Sequence, residues 1–330
     1  MNPSTSKSVV FKSFGKPDEV LELVEQNISE PATDEVLIKL IASPIVPGDF
    51  GGILGKYGVL KELPAIAGAT GIGEIVQVGE AVESIEVGQW VRVPEELGVW
   101  QEICTAKAEN LNVLPSGLDH RSACIASVNP QTAIRMLEDF ESLEAGDWVI
   151  QNAANSNVGI AVIQYAKKLG LKTVNLVRRE ELTQPLLEIG ADVVVTEETF
   201  NPREIETITQ GDRPKLAINS VGGKSALNIL NALRPGGTHV TIGAMTFEPV
   251  RFPTRQLIFD DIKIRGFWYM VWQQNHTPEE SKALDDQVYS LIADGTFNFP
   301  VEATYPLSQF KEALKHASKP RFGTILLTGD

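Results

Sequence analysis

The sequence predicts an α/β protein in which a β-rich first third precedes a parallel, doubly wound sheet. Three observations carry this. Short β-like runs separated by Gly, Pro and Asp dominate the first third, which is how a barrel or sandwich reads. From about Pro130 the rhythm becomes strand, loop, helix, and strands alternating with crossover helices imply parallel pairing. Beyond residue 296, two more β-like runs and a helical one look like elements returning to the first domain. The expected layout is therefore discontinuous: residues 1–126 with 296–330, wrapped around 127–295.

Each element has its own reason. The apolar run Val9-Val10-Phe11 begins folded structure almost at once, and residues 35–40 form the next strand. Residues 73–79 and 89–93 alternate polar and apolar side chains across a Gly88 turn, so each buries one face. In the middle, 148–150 is a short buried strand, 158–169 a helix apolar around most of its surface, and Gly170 a C-cap glycine. Strands follow at 171–177, 191–196, 215–220, 238–242 and 262–267, with a helix over 225–233. Thr277-Pro278-Glu279-Glu280 is a capping box that opens a helix to about Ala293. Strands at 301–305 and 324–327 flank a last helix over 309–317.

At 330 residues the chain has room for two domains, at roughly 150 residues each. Its 43 acidic and 29 basic residues give a net charge of −14, which speaks against sequence-independent binding to nucleic acid or anionic lipid. Only Cys104 and Cys124 are present, too few for a disulfide framework or a four-thiolate zinc site. No run approaches a membrane helix of roughly 18 apolar residues, and Met1 to Lys7 shows no leader pattern. The expectation is an uncleaved cytoplasmic protein with no membrane partner.

The chemistry is expected at the loop after the first sheet strand, Asn152-Ala153-Ala154-Asn155-Ser156-Asn157-Val158-Gly159. In a dinucleotide fold the pyrophosphate sits there, because a tight turn and a helix N-terminus present backbone N–H groups to it. Against G-x-G-x-x-G, the glycine positions hold Ala154, Ser156 and Gly159; the small residues permit close approach, and Asn155 and Asn157 are expected to tolerate left-handed backbone. The next strand ends in Arg178-Arg179-Glu180. Guanidinium groups there suit a 2′-phosphate, so NADPH is favoured over NADH. Val221-Gly222-Gly223-Lys224-Ser225 lacks the first glycine of a triphosphate loop and reads as a turn into a helix. His120, His239, His276 and His316 have no metal-ligand spacing, so no metal is expected. The run 267–272 reads as a core strand end, or else as an apolar wall at the carboxyl edge of the sheet.

Several stretches together carry a resemblance. They are Gly55-Lys56-Tyr57-Gly58, Val128-Asn129-Pro130-Gln131-Thr132-Ala133, the run 150–156, Val221 to Ser225, and Arg265-Gly266-Phe267-Trp268. The chain resembles the zinc-free medium-chain dehydrogenase/reductases, and within them the mitochondrial-type trans-2-enoyl-CoA (enoyl thioester) reductases of fatty acid metabolism. The resemblance implies a GroES-like barrel beside a Rossmann sheet. It also implies a homodimer and no zinc, since Ala69 stands where zinc-using relatives carry a histidine.

It further implies hydride transfer from NADPH to the β-carbon of an enoyl thioester such as an enoyl-CoA. Tyr57 would be the catalytic residue: a phenol, with an ordinary pKa of about 10, is protonated at neutral pH and can donate to the developing enolate. Asn129 would lie near the nicotinamide, with Asn155, Ser156, Asn157 and Val158 on the pyrophosphate and Arg178 and Arg179 on the 2′-phosphate. Ile242, Gly243, Ala244, Met245, Phe267, Trp268 and Tyr269 would meet the nicotinamide half. Two departures stand out: Val46-Pro47 replaces the family's Asn-Pro, and Arg321 is the nearest substitute for a cofactor lysine. An NADPH:quinone oxidoreductase and a non-catalytic NADPH-binding regulatory protein are the competing readings.

Overall fold

The computed structural model describes residues 5–330, which divide into two compact units, 5–127 with Asn298–Asp330, and Val128–Phe297. In chain order the first unit begins with β1 (Thr5–Phe11), α1 (Pro17–Val20), β2 (Glu22–Asn27), β3 (Glu35–Pro44), α2 (Pro47–Ile53) and β4 (Ala65–Ile66). It continues with β5 (Ile72–Val78), β6 (Trp90–Arg92), β7 (Ile103–Lys107) and α3 (His120–Ile125).

The second unit holds α4 (Asn129–Asp139), β8 (Trp148–Gln151), α5 (Asn157–Leu169), β9 (Lys172–Val177), α6 (Thr183–Glu188), β10 (Val193–Thr196) and α7 (Ile205–Ile208). It goes on through β11 (Leu216–Asn219), α8 (Gly223–Asn231), β12 (Thr238–Thr241), α9 (Thr254–Phe259), β13 (Lys263–Gly266), α10 (Tyr269–Gln274) and α11 (Pro278–Ala293). The chain then returns to the first unit with β14 (Val301–Pro306), α12 (Phe310–Ala317) and β15 (Thr324–Thr328).

In the first unit the longest strand, β3, is the hub: it pairs antiparallel with β5, β7 and β15. Its sequence EVLIKLIASP keeps most positions buried, as expected for a strand covered on both faces. The sheet runs β14-β15-β3-β5-β6, and a smaller one runs β2-β1-β4. Trp100 is fully buried and satisfies its indole N–H on Ser43 Oγ at 3.1 Å, which removes the cost of burying that donor. Leu307, Phe310, Ala313, Leu314 and Leu327 share one apolar core with Val9, Ile38 and Trp100, so the end of the chain completes what its start begins.

The second unit is a six-stranded sheet in the order β10-β9-β8-β11-β12-β13, every pair parallel. Numbered within the unit this is 3-2-1-4-5-6, the Rossmann order, whose switch point lies between its first and fourth strands, β8 and β11. The four residues of β8 and the four of β11 are all buried. Gly170 takes φ 72° at the end of α5, and Thr277 caps α11 reciprocally with Glu280, as the sequence requires. The run 267–272 departs from its expectation. The strand stops at Gly266 and the chain turns into α10, because β13 is an edge strand with mostly exposed side chains and offers no second face to bury aromatic rings.

Candidate active site

In the Rossmann unit the turn between β8 and α5 is built on a left-handed residue, but not where the sequence reading put it. Ala153 has φ 49°, while Asn155 and Asn157 do not have positive φ. Asn157 is instead the first residue of α5, and Ser156 caps that helix by accepting from the Gly159 N–H at 3.1 Å. Gly159 cannot be replaced cheaply. A Cβ there would stand 2.6 Å from the Ala154 carbonyl oxygen, so the glycine is what lets α5 start against the turn. Asn155, Ser156, Asn157 and Val158 are all partly exposed around this helix N-terminus, where unpaired N–H groups and the helix dipole suit an anion.

Beneath the turn lies a set of amides that the motif search passed over. Gln151 donates to Gly159 O at 2.9 Å and to Asn175 Oδ1 at 2.8 Å. Asn152 donates to Asn219 Oδ1 at 2.9 Å and to Ser225 Oγ at 2.8 Å, and accepts from Ser220 N at 2.7 Å. Asn219 Oδ1 also accepts from Val221 and Gly222 N–H. These side chains tie the carboxyl ends of β8, β9 and β11 together. The signal was available: four amides inside otherwise apolar, buried strands need partners.

At the end of β9, Arg178 is exposed and Arg179 is partly buried in an ion pair with Glu181. Glu197, just past β10, accepts from Ser225; burial pushes its carboxyl up, against that hydrogen bond and the charges of Arg178 and Lys224. At the far side of the switch point, Ile242 N donates to Asn219 O at 2.8 Å and Met245 N to Ser220 O at 3.1 Å. A Cβ on Gly243 would come within 3.0 Å of Ser220 O, so this turn passes close by. Ala244 and Met245 are exposed. Phe267 packs edge-on against Phe140, Trp268 is exposed, and Tyr269 is buried and stacked on Trp272. Asn129 opens α4 and is partly exposed.

In the first unit, Tyr57 is 41% exposed and follows the C-terminus of α2. Asp49, at the third position of that helix, is 4% exposed. It accepts from Val46 N at 2.8 Å and from Ala69 N at 2.9 Å. Burial pushes its pKa up to about 7, against the two backbone donors, which lower it. Asp49 was missed, although Pro at the first helical position with an acid two residues on is a helix-start signal. Val46 contributes its backbone N–H to this arrangement. Ala69 likewise acts through its N–H.

Two cations are spoken for. Lys61 donates to Ile66 O at 3.2 Å, Gly68 O at 3.3 Å and Glu95 O at 2.7 Å, and burial lowers its pKa. Arg321 donates to Ala317 O, to Gly323 O at 3.1 Å and to Lys319 O at 3.4 Å, closing the turn between α12 and β15. Each carries its charge among backbone carbonyls, which the sequence pattern does not reveal. Among the described residues no three His, Cys, Asp or Glu side chains cluster to hold a metal ion, and no helix is long and apolar enough to cross a membrane.

Comparison with known proteins adds to this geometry. Residues 32–118 match the alcohol dehydrogenase GroES-like domain, and 157–286 match the family described as zinc-binding dehydrogenase. The mitochondrial enoyl-[acyl-carrier-protein] reductase of Rattus norvegicus is 41% identical over 325 residues, covering 96% of this chain and 87% of that one. The Homo sapiens protein of the same name is 40% identical with the same coverage. Among solved structures, the Etr1p/NADP/crotonyl-CoA complex superposes with a TM-score of 0.90 at 28% identity, over 98% of this chain and 99% of that one. The mitochondrial 2-enoyl thioester reductase Etr1p/Etr2p heterodimer from Candida tropicalis gives 0.89 at 27%, with the same coverage.

These relatives correct one expectation. The cytoplasmic placement rested on the lack of a leader pattern, whereas the relatives are mitochondrial by name. The pattern of a few N-terminal residues bears on processing, and turning its lack into a compartment was the error.

Proposed function

Because the chain belongs to the mitochondrial enoyl-[acyl-carrier-protein] reductase family of the medium-chain dehydrogenase/reductases, we propose that it reduces the 2,3 double bond of a trans-2-enoyl thioester with NADPH. The observation that carries the reading is Tyr57, a partly exposed phenol seated on a capped helix within the 32–118 match. Residues 1–126 with 296–330 serve substrate and proton transfer, and 127–295 hold the cofactor.

The Rossmann residues fit a phosphorylated dinucleotide. The α5 N-terminus with Asn155, Ser156, Asn157 and Val158 takes the pyrophosphate. Arg178 and Arg179 take the 2′-phosphate, for which Arg178 presents an exposed guanidinium. Ile242, Gly243, Ala244 and Met245, with Phe267, Trp268, Tyr269 and Asn129, hold the nicotinamide end. Bound NADPH supplies a hydride to the substrate's β-carbon. Tyr57 donates a hydrogen bond to the thioester oxygen as enolate charge builds there, and its proton is available to the α-carbon.

The assembly is a homodimer through the Rossmann unit. Edge strand β13 pairs only with β12 among the described residues, and Ile258 and Phe259, just before it, are 65% and 74% exposed. An uncovered edge beside apolar surface is a ready pairing surface.

The test follows NADPH absorbance with a short and a medium trans-2-enoyl-CoA, beside benzoquinone, NADH in place of NADPH, and Tyr57→Phe. Enoyl-dependent oxidation that prefers NADPH and collapses in the variant is the expected result. Quinone turnover alone, indifferent to Tyr57, would make the protein a quinone reductase. Tight NADPH binding with no acceptor turned over would leave a sensor.

A further inference from the structure

The α2 sequence PGDFGGI puts three glycines into seven residues, a composition that destabilises a helix unless something needs the space. One of the three, Gly51, has an evident steric reason. A Cβ on Gly51 would stand 3.2 Å from Cδ2 of the Tyr57 ring and 3.6 Å from its Cβ. A Cβ on Gly48 would stand 3.8 Å from Cε2, Cζ and the phenol oxygen. The ring therefore lies along the helix over these two positions, its root against Gly51 and its hydroxyl end against Gly48. Gly52 meets nothing within 4 Å. The chain is drawn back over the helix by the Lys56 N–H, which donates to Gly51 O at 2.9 Å.

The helix is itself held at its start. One carboxylate oxygen of Asp49 accepts from Val46 N and the other from Ala69 N, so the helix start is joined to the loop before β5. Neither can slide without leaving a buried oxygen or N–H unsatisfied.

We propose that the close approach of Gly51 in α2, a helix fixed by Asp49, positions the Tyr57 phenol, which makes Gly51 and Asp49 positioning residues for the reduction. The proposal rests on the reading of Tyr57 as the proton donor. Substituting Gly51 by Ala forces the ring to move by a few tenths of an ångström, because 3.2 Å is closer than a methyl and a ring normally approach. A donor displaced from an oxyanion loses rate steeply, so a fall in kcat of about tenfold is expected.

The experiment measures kcat and KM for enoyl-CoA reduction, with thermal melts, for Gly51→Ala and Gly52→Ala, each in the native and the Tyr57→Phe background. Gly51→Ala should lower kcat about tenfold with KM for NADPH unchanged, and Gly52→Ala not at all. In the Tyr57→Phe background the Gly51→Ala effect should vanish, which a merely structural role would not produce. Equal losses in both backgrounds, or a Gly52→Ala loss matching that of Gly51→Ala, would overturn the proposal. Should Gly51→Ala fail to fold, Asp49→Asn in the same two backgrounds decides by the same criterion. If Tyr57→Phe alone leaves enoyl turnover intact, the function reading fails, a result separate from any glycine effect, and the proposal falls with it.

Discussion

The β8–α5 turn and the α2–Tyr57 segment both use glycine to bring backbone and functional groups close, yet they are held by different means. The first sits on a parallel sheet, with Gln151, Asn152, Asn175 and Asn219 satisfying one another beneath it. The second rests on a seven-residue helix fixed by one buried carboxylate. The proposed phosphate-binding turn is supported by many small contacts, while the proposed proton donor depends on a few. Damage to the first should show mainly in affinity and stability, and damage to the second in kcat.

The largest expected effect is Tyr57→Phe, which should lower kcat about 10²- to 10³-fold while leaving KM for NADPH unchanged. Steady-state kinetics checks it, and a shift in NADPH affinity instead would blur the division. The next effect separates the two units by pH. His239, buried in β12, is lowered to about 4 by burial, against backbone hydrogen bonds with His239 and Ala226, which raise it. Between pH 4 and 6.5 the unfolded chain binds the extra proton, so stability should rise with pH there, by on the order of 3 kcal/mol.

Asp49 works the other way. Its pKa is raised to about 7, so between about pH 4 and 7 the native state holds the proton and stability should fall as pH rises. Denaturation across pH 4.5–7.5 should find the acid-side loss flattened in His239→Leu and the opposing slope removed in Asp49→Asn. A smaller effect is expected from Arg178→Ala, which should raise KM for NADPH about tenfold and leave NADH alone, the loss of one charged hydrogen bond. Smallest is Ser156→Ala, which should cost about 1 kcal/mol of stability through the lost α5 cap, read from denaturant midpoints.

The same contrast explains what could be read from the residues. In the Rossmann unit, local rules and tertiary structure agree: Thr277 with Glu280, Gly170, and short apolar strands alternating with helices all mean in isolation what they mean in the fold. Around Tyr57 they disagree. Pro-Gly-Asp-Phe-Gly-Gly reads as a turn, because glycine opposes helix, and only the bridge from Asp49 to Ala69, 20 residues away, makes it one. The setting of Lys61 is illegible for the same reason, since a lysine in a polar loop gives no hint that three carbonyls surround it. Ala153 carries the left-handed turn that two nearby asparagines advertise. The 267–272 run failed as a strand because its β-propensity had no second layer to pack against. The role of Tyr57 itself came from family resemblance, as no rule of spacing distinguishes it from an ordinary loop tyrosine.

The position of β15 has a consequence for how the molecule is made. That strand, from the last seven residues, lies between β14 and β3 and bonds to Ser43 and Pro44. On the ribosome, residues 128–297 emerge as one uninterrupted stretch and can fold as a unit. The segment that precedes them has to wait, with the Ser43–Pro44 end of β3 lacking its partner, until β15 has been synthesised. Completion of β15 is thus a folding step for the part of the protein that carries Tyr57, which closes only after the whole parallel-sheet unit has been synthesised.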